Sequence, residues 1–269
     1  MKKLFIFFSL IVFFSIFGCS KENIDVDISA ESAVLMSPWT KRVIYSKEPH
    51  KKLLPASTVK IMTSLVVVKN MSLKEEMTVS KLATLMEPSK IYVKEGEKYL
   101  AEDLIKAMLL NSGNDASVVV AEGIGGSEER FISMMNILAE KIGARDTVFK
   151  NPNGLPKEGQ SATTYDLGLI VREAMKNKTL VDIMKMKEGE IKEVVSGRTI
   201  KLRNHNKSLW KDKPYVILGK TGWTKKAGHC FAGFIEYNRW KKVIVVILKS
   251  KSLWGDLERL AESLISDNG

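Results

Sequence analysis

Ser57 and Lys60 are the residues whose types and spacing first suggest catalysis. They follow Pro55 at the start of an apolar stretch that is predicted to be helical, so the three-residue spacing places a hydroxyl and an amine on one face, one turn apart. The backbone N–H groups at a helix start favour developing negative charge. A serine beside such a base is typical of nucleophilic catalysis, provided that desolvation or a second cation lowers the pKa of the lysine.

The same short pattern also occurs at Ser208 and Lys211, so spacing alone does not identify a site. Two further motifs supply a context. Ser112–Gly113–Asn114 follows a predicted helix that ends at Leu110, and Lys220–Thr221–Gly222 lies within a predicted strand. Glycine in a strand removes a side chain where a ligand approaches closely, and an edge strand offers N–H and C=O groups to an extended peptide.

The elements that must position these motifs follow from hydrophobic periodicity. The order is a strand pair, a helical block, further strands and a final helix. The predicted strands are 32–37, 42–46, 190–195, 198–202, 215–224, 229–237 and 241–249, and the predicted helices are 57–68, 101–110, 115–122, 128–142, 165–176 and 253–265. The apolar run in 241–249 is predicted to be buried on both faces, so the N- and C-terminal strands must join in one sheet, with the helical block as a second lobe.

In order and setting, the three motifs resemble the S-x-x-K, S-x-N and K-T-G motifs of the penicillin-binding and serine β-lactamase superfamily. Pro55–Thr63, Leu109–Ala116, Phe149–Leu155 and Lys220–Cys230 resemble the low-molecular-mass D-alanyl-D-alanine carboxypeptidases. The resemblance implies an α+β fold, an α/β sandwich whose antiparallel sheet of N- and C-terminal strands is flanked by helices and carries an inserted helical lobe. Because no linker or abrupt composition change divides the chain, we expect one catalytic domain over residues 31–269, without the C-terminal β domain that many relatives carry.

The resemblance implies the catalytic roles. Ser57 would be the acylated nucleophile, Lys60 the base that takes its proton, and Ser112 the relay to the leaving amine. The activity implied is removal of the terminal D-alanine from peptidoglycan stem peptides, with β-lactam antibiotics as inhibitors.

The resemblance also implies a substrate-binding set. Asn114 would hold the substrate's amide, while Lys220 and Thr221 would bind its terminal carboxylate. Gly222 would allow close approach, and the backbone N–H of Trp223, with that of the nucleophile, would form the oxyanion hole.

Composition excludes several other classes. With 45% hydrophobic and 27% charged residues, the chain is not disordered, collagen-like or of low complexity. Two cysteines cannot form a disulfide framework, and His50, His205 and His229 lie far apart without metal-ligand spacing, so we expect no metal and no cofactor. The formal net charge of +11 indicates an anionic neighbour: nucleic acid, a membrane surface or an acidic polymer.

The N-terminus narrows this choice. Lys2 and Lys3 precede an apolar run of about 14 residues, which is typical of an export signal and shorter than the roughly 20 residues that span a bilayer. We therefore expect a signal peptide over residues 1–18, no nucleic-acid partner and a location in the cell envelope. Gly18–Cys19 resembles a lipoprotein cleavage site, which implies a lipidated Cys19 and a tether over residues 19–30; ordinary cleavage after Ser20 is the alternative.

Three alternative functions stay open. Class A β-lactamases carry a glutamate in an E-x-x-L-N loop; no such string occurs, and Glu158 is predicted to be a solvated charge. Gly113 stands where β-lactamases usually have aspartate, and Asn153–Gly154–Leu155 resembles the carboxypeptidases, so we expect slow deacylation of penicillin. A DD-endopeptidase and an inactive wall-binding lipoprotein are the other two.

Overall fold

The computed structural model describes residues 25–238 and 241–266, so the predicted signal peptide and Cys19 lie outside the described residues. Within them, no helix has the length and apolar character needed to cross a membrane. The strands are β1 (Ser32–Met36), β2 (Val43–Lys47), β3 (Glu76–Thr78), β4 (Lys98–Leu100), β5 (Glu188–Lys192), β6 (Thr199–Arg203), β7 (Tyr215–Thr224), β8 (Gly228–Tyr237) and β9 (Lys241–Ser250). The α-helices are α1 (Lys60–Asn70), α2 (Lys81–Thr84), α3 (Ala101–Leu110), α4 (Asn114–Gly125), α5 (Glu128–Ile142), α6 (Thr164–Ala174), α7 (Lys178–Lys185) and α8 (Leu253–Ser266).

The main sheet has five antiparallel strands in the order β2-β1-β9-β8-β7. Strand β1 pairs with β9, with Val34 opposite Val246, so the predicted joining of N- and C-terminal strands is confirmed. The apolar side chains from Val243 to Leu248 are all buried, as expected of a central strand covered on both faces. Strand β7 lies at the edge of the sheet.

Two apolar clusters cover the two faces of this sheet. On one face, α8 packs the stripe that its sequence predicts, and Leu257 and Leu260 are fully buried there. On the other face, α6 packs against β1, β8 and β9, α1 packs against α6, and the helical lobe of α2–α5 continues that core. Ile28 and Ala30, which belong to the segment predicted as a tether, are buried in the α8 cluster.

Helix starts and short elements differ from the sequence-based expectations. Ser57 lies in a 3-10 turn, Ala56–Val59, that leads directly into α1 at Lys60. The helix predicted to reach Lys176 ends at Ala174, because the side chain of Asn177 accepts a hydrogen bond from the Leu180 N–H and so starts α7. Periodicity also missed α2, β3 and β4, which span only three or four residues each.

Candidate active site

Ser57 and Lys60 form a close pair at the junction of the 3-10 turn and α1. The Nζ atom of Lys60 lies 3.1 Å from Oγ of Ser57. Ala56, immediately before the serine, has a φ of +48°, an uncommon conformation for a residue with a side chain. Strained backbone of this kind persists only where the surrounding structure enforces it. Here it sets the direction of the 3-10 turn Ala56–Val59, which we call the serine turn.

Lys60 is completely buried, and its ammonium group has three acceptors. Besides the serine oxygen, Nζ lies 2.8 Å from Oδ1 of Asn114 and 2.7 Å from the carbonyl oxygen of Asn153. Desolvation lowers the pKa of Lys60 well below its usual value, the charge of Lys220 lowers it further, and Asp115 partly opposes the shift. The shift favours the neutral amine, which is the form in which a lysine can act as a base.

The turn 151–155 packs against the Ser57–Lys60 pair and stabilises its position. Asn151 accepts a hydrogen bond from the Gly154 N–H at 2.7 Å, and Pro152 accepts one from the Thr63 hydroxyl at 2.6 Å. Gly154 has a φ of +86°, and a Cβ at this position would lie 1.9 Å from the Ala56 carbonyl oxygen. The sequence marks this turn as a break in periodicity, but it gives no sign that a backbone carbonyl here contacts Lys60.

The second motif occupies the tight connection between α3 and α4. Ser112 has a φ of +62°, is nearly buried, and its hydroxyl has no hydrogen-bond partner within residues 25–238 and 241–266. Two residues later, Asn114 uses its Oδ1 for the Lys60 contact and donates from Nδ2 to the Glu87 carbonyl at 2.9 Å. Asn114 therefore connects the Lys60 amine to the backbone at Glu87.

Asp115 is a supporting residue that the sequence analysis missed. Its buried carboxylate accepts backbone hydrogen bonds from Ile91 at 3.0 Å, Tyr92 at 2.8 Å and Ala116 at 2.9 Å. The carboxylate thereby fixes the segment 91–92 and places one negative charge near Lys60. Its position directly after the motif was the only available signal.

The third motif lies on the edge strand β7, against the serine turn. A Cβ on Gly222 would lie 2.8 Å from the Ser57 nitrogen and 3.0 Å from the Ala56 Cβ, so only glycine permits this approach without displacement. Trp223, the next residue, is 60% exposed at the site's edge, and its ring lies 6.2 Å from that of His229.

Lys220 is the second buried amine of the site. It is 1% exposed, and its one hydrogen bond within the described residues runs from Nζ to the Thr221 carbonyl at 2.9 Å. Desolvation lowers the pKa of Lys220 to about 7. A bound carboxylate would supply a counter-charge to this amine.

The lowered pKa of Lys220 makes stability depend on pH. Because the unfolded lysine binds its proton up to about pH 10.5 while the folded one releases it near pH 7, wild-type stability should rise between these values. The cost below pH 7 has an upper limit of about 5 kcal/mol. We expect Lys220→Met to be more stable than the wild type by about 3 kcal/mol at pH 6, with the gap shrinking towards pH 10.

Urea unfolding of both proteins across pH 6 to 10 measures this gap, with Lys211→Met as a control for an exposed lysine. A gap that does not change with pH would contradict the burial of a titrating amine.

Two other side chains near the site have different properties. His205 lies in the segment after β6, and its pKa is lowered to about 4 by partial burial and then by the charges of Lys220 and Lys60, so it is neutral at physiological pH. Cys230, opposite Gly222 on β8, is fully buried, and burial raises the pKa of its thiol to about 12. That thiol is not a competing nucleophile.

The second S-x-x-K pattern is not a catalytic pair. The Ser208 hydroxyl contacts the Asn206 side chain and, at 2.9 Å, the Ile217 carbonyl, whereas Lys211 pairs with Glu258 at the surface. No group of three or more metal-ligating side chains of a kind that could hold a metal ion occurs in the described part of the chain.

The fold and this site together define a class: an antiparallel sheet with an edge strand against a serine–lysine pair, as in the DD-peptidases. The structure resembles the D-alanyl-D-alanine carboxypeptidase DacD of Francisella tularensis, with a TM-score of 0.80 and 26% identity over 90% of this chain and 71% of that chain. At the level of fold it also resembles a D-alanyl-D-alanine carboxypeptidase of Mycobacterium tuberculosis, with a TM-score of 0.82 over 90% and 92% of the two chains and 24% identity.

The sequence comparisons identify the family. The family model described as D-alanyl-D-alanine carboxypeptidase matches residues 19–252, and the chain belongs to this family. It is 33% identical to the D-alanyl-D-alanine carboxypeptidase DacF of Bacillus subtilis over 84% of this chain, and 30% identical to DacD of Escherichia coli over 98%. The matched regions span 59% and 70% of those two relatives.

Proposed function

We propose that the protein is a serine-type D-Ala-D-Ala carboxypeptidase that acts through a Ser57 acyl-enzyme. The observation that carries the proposal is the 3.1 Å contact between Oγ of Ser57 and Nζ of a completely buried Lys60 whose pKa is lowered. Neutral Lys60 takes the serine proton, and Oγ attacks the carbonyl carbon of the penultimate D-alanine. The C–N bond then breaks, and water later hydrolyses the ester.

The remaining motif residues bind the substrate and move its protons. The N–H groups of Ser57 and Trp223 stabilise the oxyanion, a type of contact that is typically worth about 100- to 1000-fold in rate per donor. Ser112 relays the proton to the departing amine, which is supported by its unengaged hydroxyl. Asn114 holds the substrate amide with the Nδ2 hydrogen that the Glu87 carbonyl does not use.

The terminal carboxylate of the substrate is assigned to Lys220 and Thr221. A carboxylate would raise the pKa of Lys220 from about 7 and so restore the positive charge that burial disfavours. The site therefore binds most tightly a substrate that ends in a free carboxylate. This preference favours carboxypeptidase action at the end of a stem peptide.

The test combines two assays on the purified wild-type protein. A fluorescent penicillin should form a stable covalent adduct, and a pentapeptide ending in D-Ala-D-Ala should release D-alanine. Rapid turnover of a chromogenic cephalosporin would instead indicate a β-lactamase, cleavage of cross-linked muropeptides an endopeptidase, and failure to bind penicillin an inactive wall-binding protein. Contact of Lys60 with the Asn153 carbonyl, rather than with a carboxylate, argues against the β-lactamase.

We also propose export to the cell envelope with a lipid anchor on Cys19. The support is the sequence of residues 1–20, with its basic start, apolar run and Gly18–Cys19 step. The several acyl chains of a bacterial lipoprotein would hold the protein at a membrane, since one chain gives only marginal binding.

A further inference from the structure

A cavity of about 660 Å³ lies between α1, α5 and α6, and none of the motif residues of the active site lines it. We call it the α1–α5–α6 groove. Its floor is apolar and is formed by Val66, Met134, Ile137, Leu138, Ile142 and Leu169. Four of these residues lie on α5 at helical spacing: Ile137 is 53% exposed, and Met134, Leu138 and Ile142 are partly buried. Apolar side chains left partly exposed along one helix face indicate a binding surface.

The rim of the groove is strongly cationic. The groove is lined by one acidic residue, Glu173, and by five basic residues: Lys41, Lys69, Lys141, Arg172 and Lys176. Glu173 pairs with Lys69 at 2.8 Å and with Lys176 at 2.5 Å. The side chains of Lys41 and Lys141 form no ion pair within residues 25–238 and 241–266. An excess of positive charge therefore surrounds an apolar floor.

Trp39 extends the same surface. It lies in the β1–β2 turn, is 73% exposed, and stands two residues before Lys41. Arg172 ties this turn to α6 through hydrogen bonds to the carbonyl oxygens of Pro38, at 2.6 Å, and Trp39, at 3.4 Å. Tryptophan beside lysine at a surface is typical of groups that lie at a membrane–water interface.

We propose that the α1–α5–α6 groove binds an anionic phospholipid of the membrane, with the phosphate on the cationic rim and the acyl region on the apolar floor. A hydrophilic polymer of phosphates and polyols would satisfy the lysines but would leave Ile137 and Trp39 exposed to water. A lipid covers both, so charge and hydrophobicity together favour the membrane surface.

The position of the groove has a consequence for the active site. Lys60 lies at the start of α1, and Lys69 and Asn70 at its end line the groove. Ten residues of α-helix rise about 15 Å. Binding through the groove would hold the serine turn at the far end of α1 from the lipid. This proposal does not depend on the proposed peptidase activity.

The test is lysine acetylation by a water-soluble reagent, read for each lysine by mass spectrometry on the full chain. The probes are vesicles of phosphatidylcholine alone and vesicles with roughly one third phosphatidylglycerol. On the anionic vesicles we expect labelling of Lys41 and Lys141 to fall about fivefold or more, while that of Lys187 and Lys201, both exposed at the β5–β6 hairpin and outside the groove, stays unchanged. Because all four are measured in one chain, any membrane contact of residues 1–24 is common to them.

Matched variants distinguish lipid binding at the groove from a general effect of net charge. Lys41→Glu with Lys141→Glu should abolish the protection of Lys69 and Lys176, whereas Lys187→Glu with Lys201→Glu, the same charge change, should retain it. Urea unfolding checks that both variants fold. Equal protection on both vesicle types, equal loss in both variants, or equal protection by soluble poly(glycerol phosphate) would overturn the proposal, the last by identifying a polymer site.

Discussion

Replacing Ser57 with alanine is expected to reduce both D-alanine release and covalent penicillin labelling by about 10⁴-fold or more. The reason is that the substitution removes the atom that forms the acyl bond, while the buried lysine and the edge strand stay in place. Release is measured with a peptide that ends in D-Ala-D-Ala, and labelling with a fluorescent penicillin.

The chain contains its own control for this experiment. Ser208 has the same spacing to a lysine, but its hydroxyl contacts Asn206 and Ile217. Ser208→Ala should therefore retain activity within a fewfold of the wild type, with a loss of stability of about 1 kcal/mol. Residual labelling of Ser57→Ala at the wild-type rate would show that another residue is acylated.

The second large effect is expected from Lys60→Met. General bases contribute typically 10²- to 10⁴-fold, and Lys60 also holds Asn114 and Asn153, so the rate of acylation by penicillin should fall about 10³-fold or more. The variant leaves two buried acceptors without a donor, but it also removes an amine whose charged form is disfavoured by burial. The rate constant of acylation is measured together with the midpoint of urea unfolding.

Two further variants distinguish a base from a structural lysine. Lys60→Arg keeps the positive charge but cannot lose its proton near neutral pH, so it should be as inactive as Lys60→Met. Lys211→Met, in the second S-x-x-K pattern, should retain full activity because Lys211 pairs with Glu258 at the surface. An active Lys60→Arg protein would contradict proton transfer to this residue.

The sequence was sufficient to predict most of the architecture around these residues. The continuous apolar run of β9 and the single stripe of α8 can be buried only by a sheet with two covered faces, and the structure confirms both. The spacing of apolar residues was less reliable for the ends of helices and strands. Ser57, for example, lies in a 3-10 turn rather than in the helix that continues from it. Element ends depend on local capping, as Asn177 shows, and periodicity does not report it.

The supporting residues of the site required the tertiary structure. The lysine's closest acceptor is a backbone carbonyl, that of Asn153, and a carbonyl has no residue type by which a sequence can mark it. Asp115 acts through four backbone N–H groups, three of which belong to a segment more than 20 residues earlier. Likewise, Gly222 is required because β7 approaches the turn of Ser57, a contact between distant parts of the chain.

The sequence by itself determined the identity and order of the chemical groups: a serine with a lysine one turn away, a second serine with an asparagine, and a lysine on a glycine-containing strand. Only the tertiary structure shows how differently the two S-x-x-K patterns are placed, because it buries Lys60 beside Lys220 and leaves Lys211 at the surface with Glu258. The physical consequence is desolvation. Burial near a second amine lowers the pKa of Lys60 and favours its neutral form, and burial is a property of the packed fold rather than of local spacing.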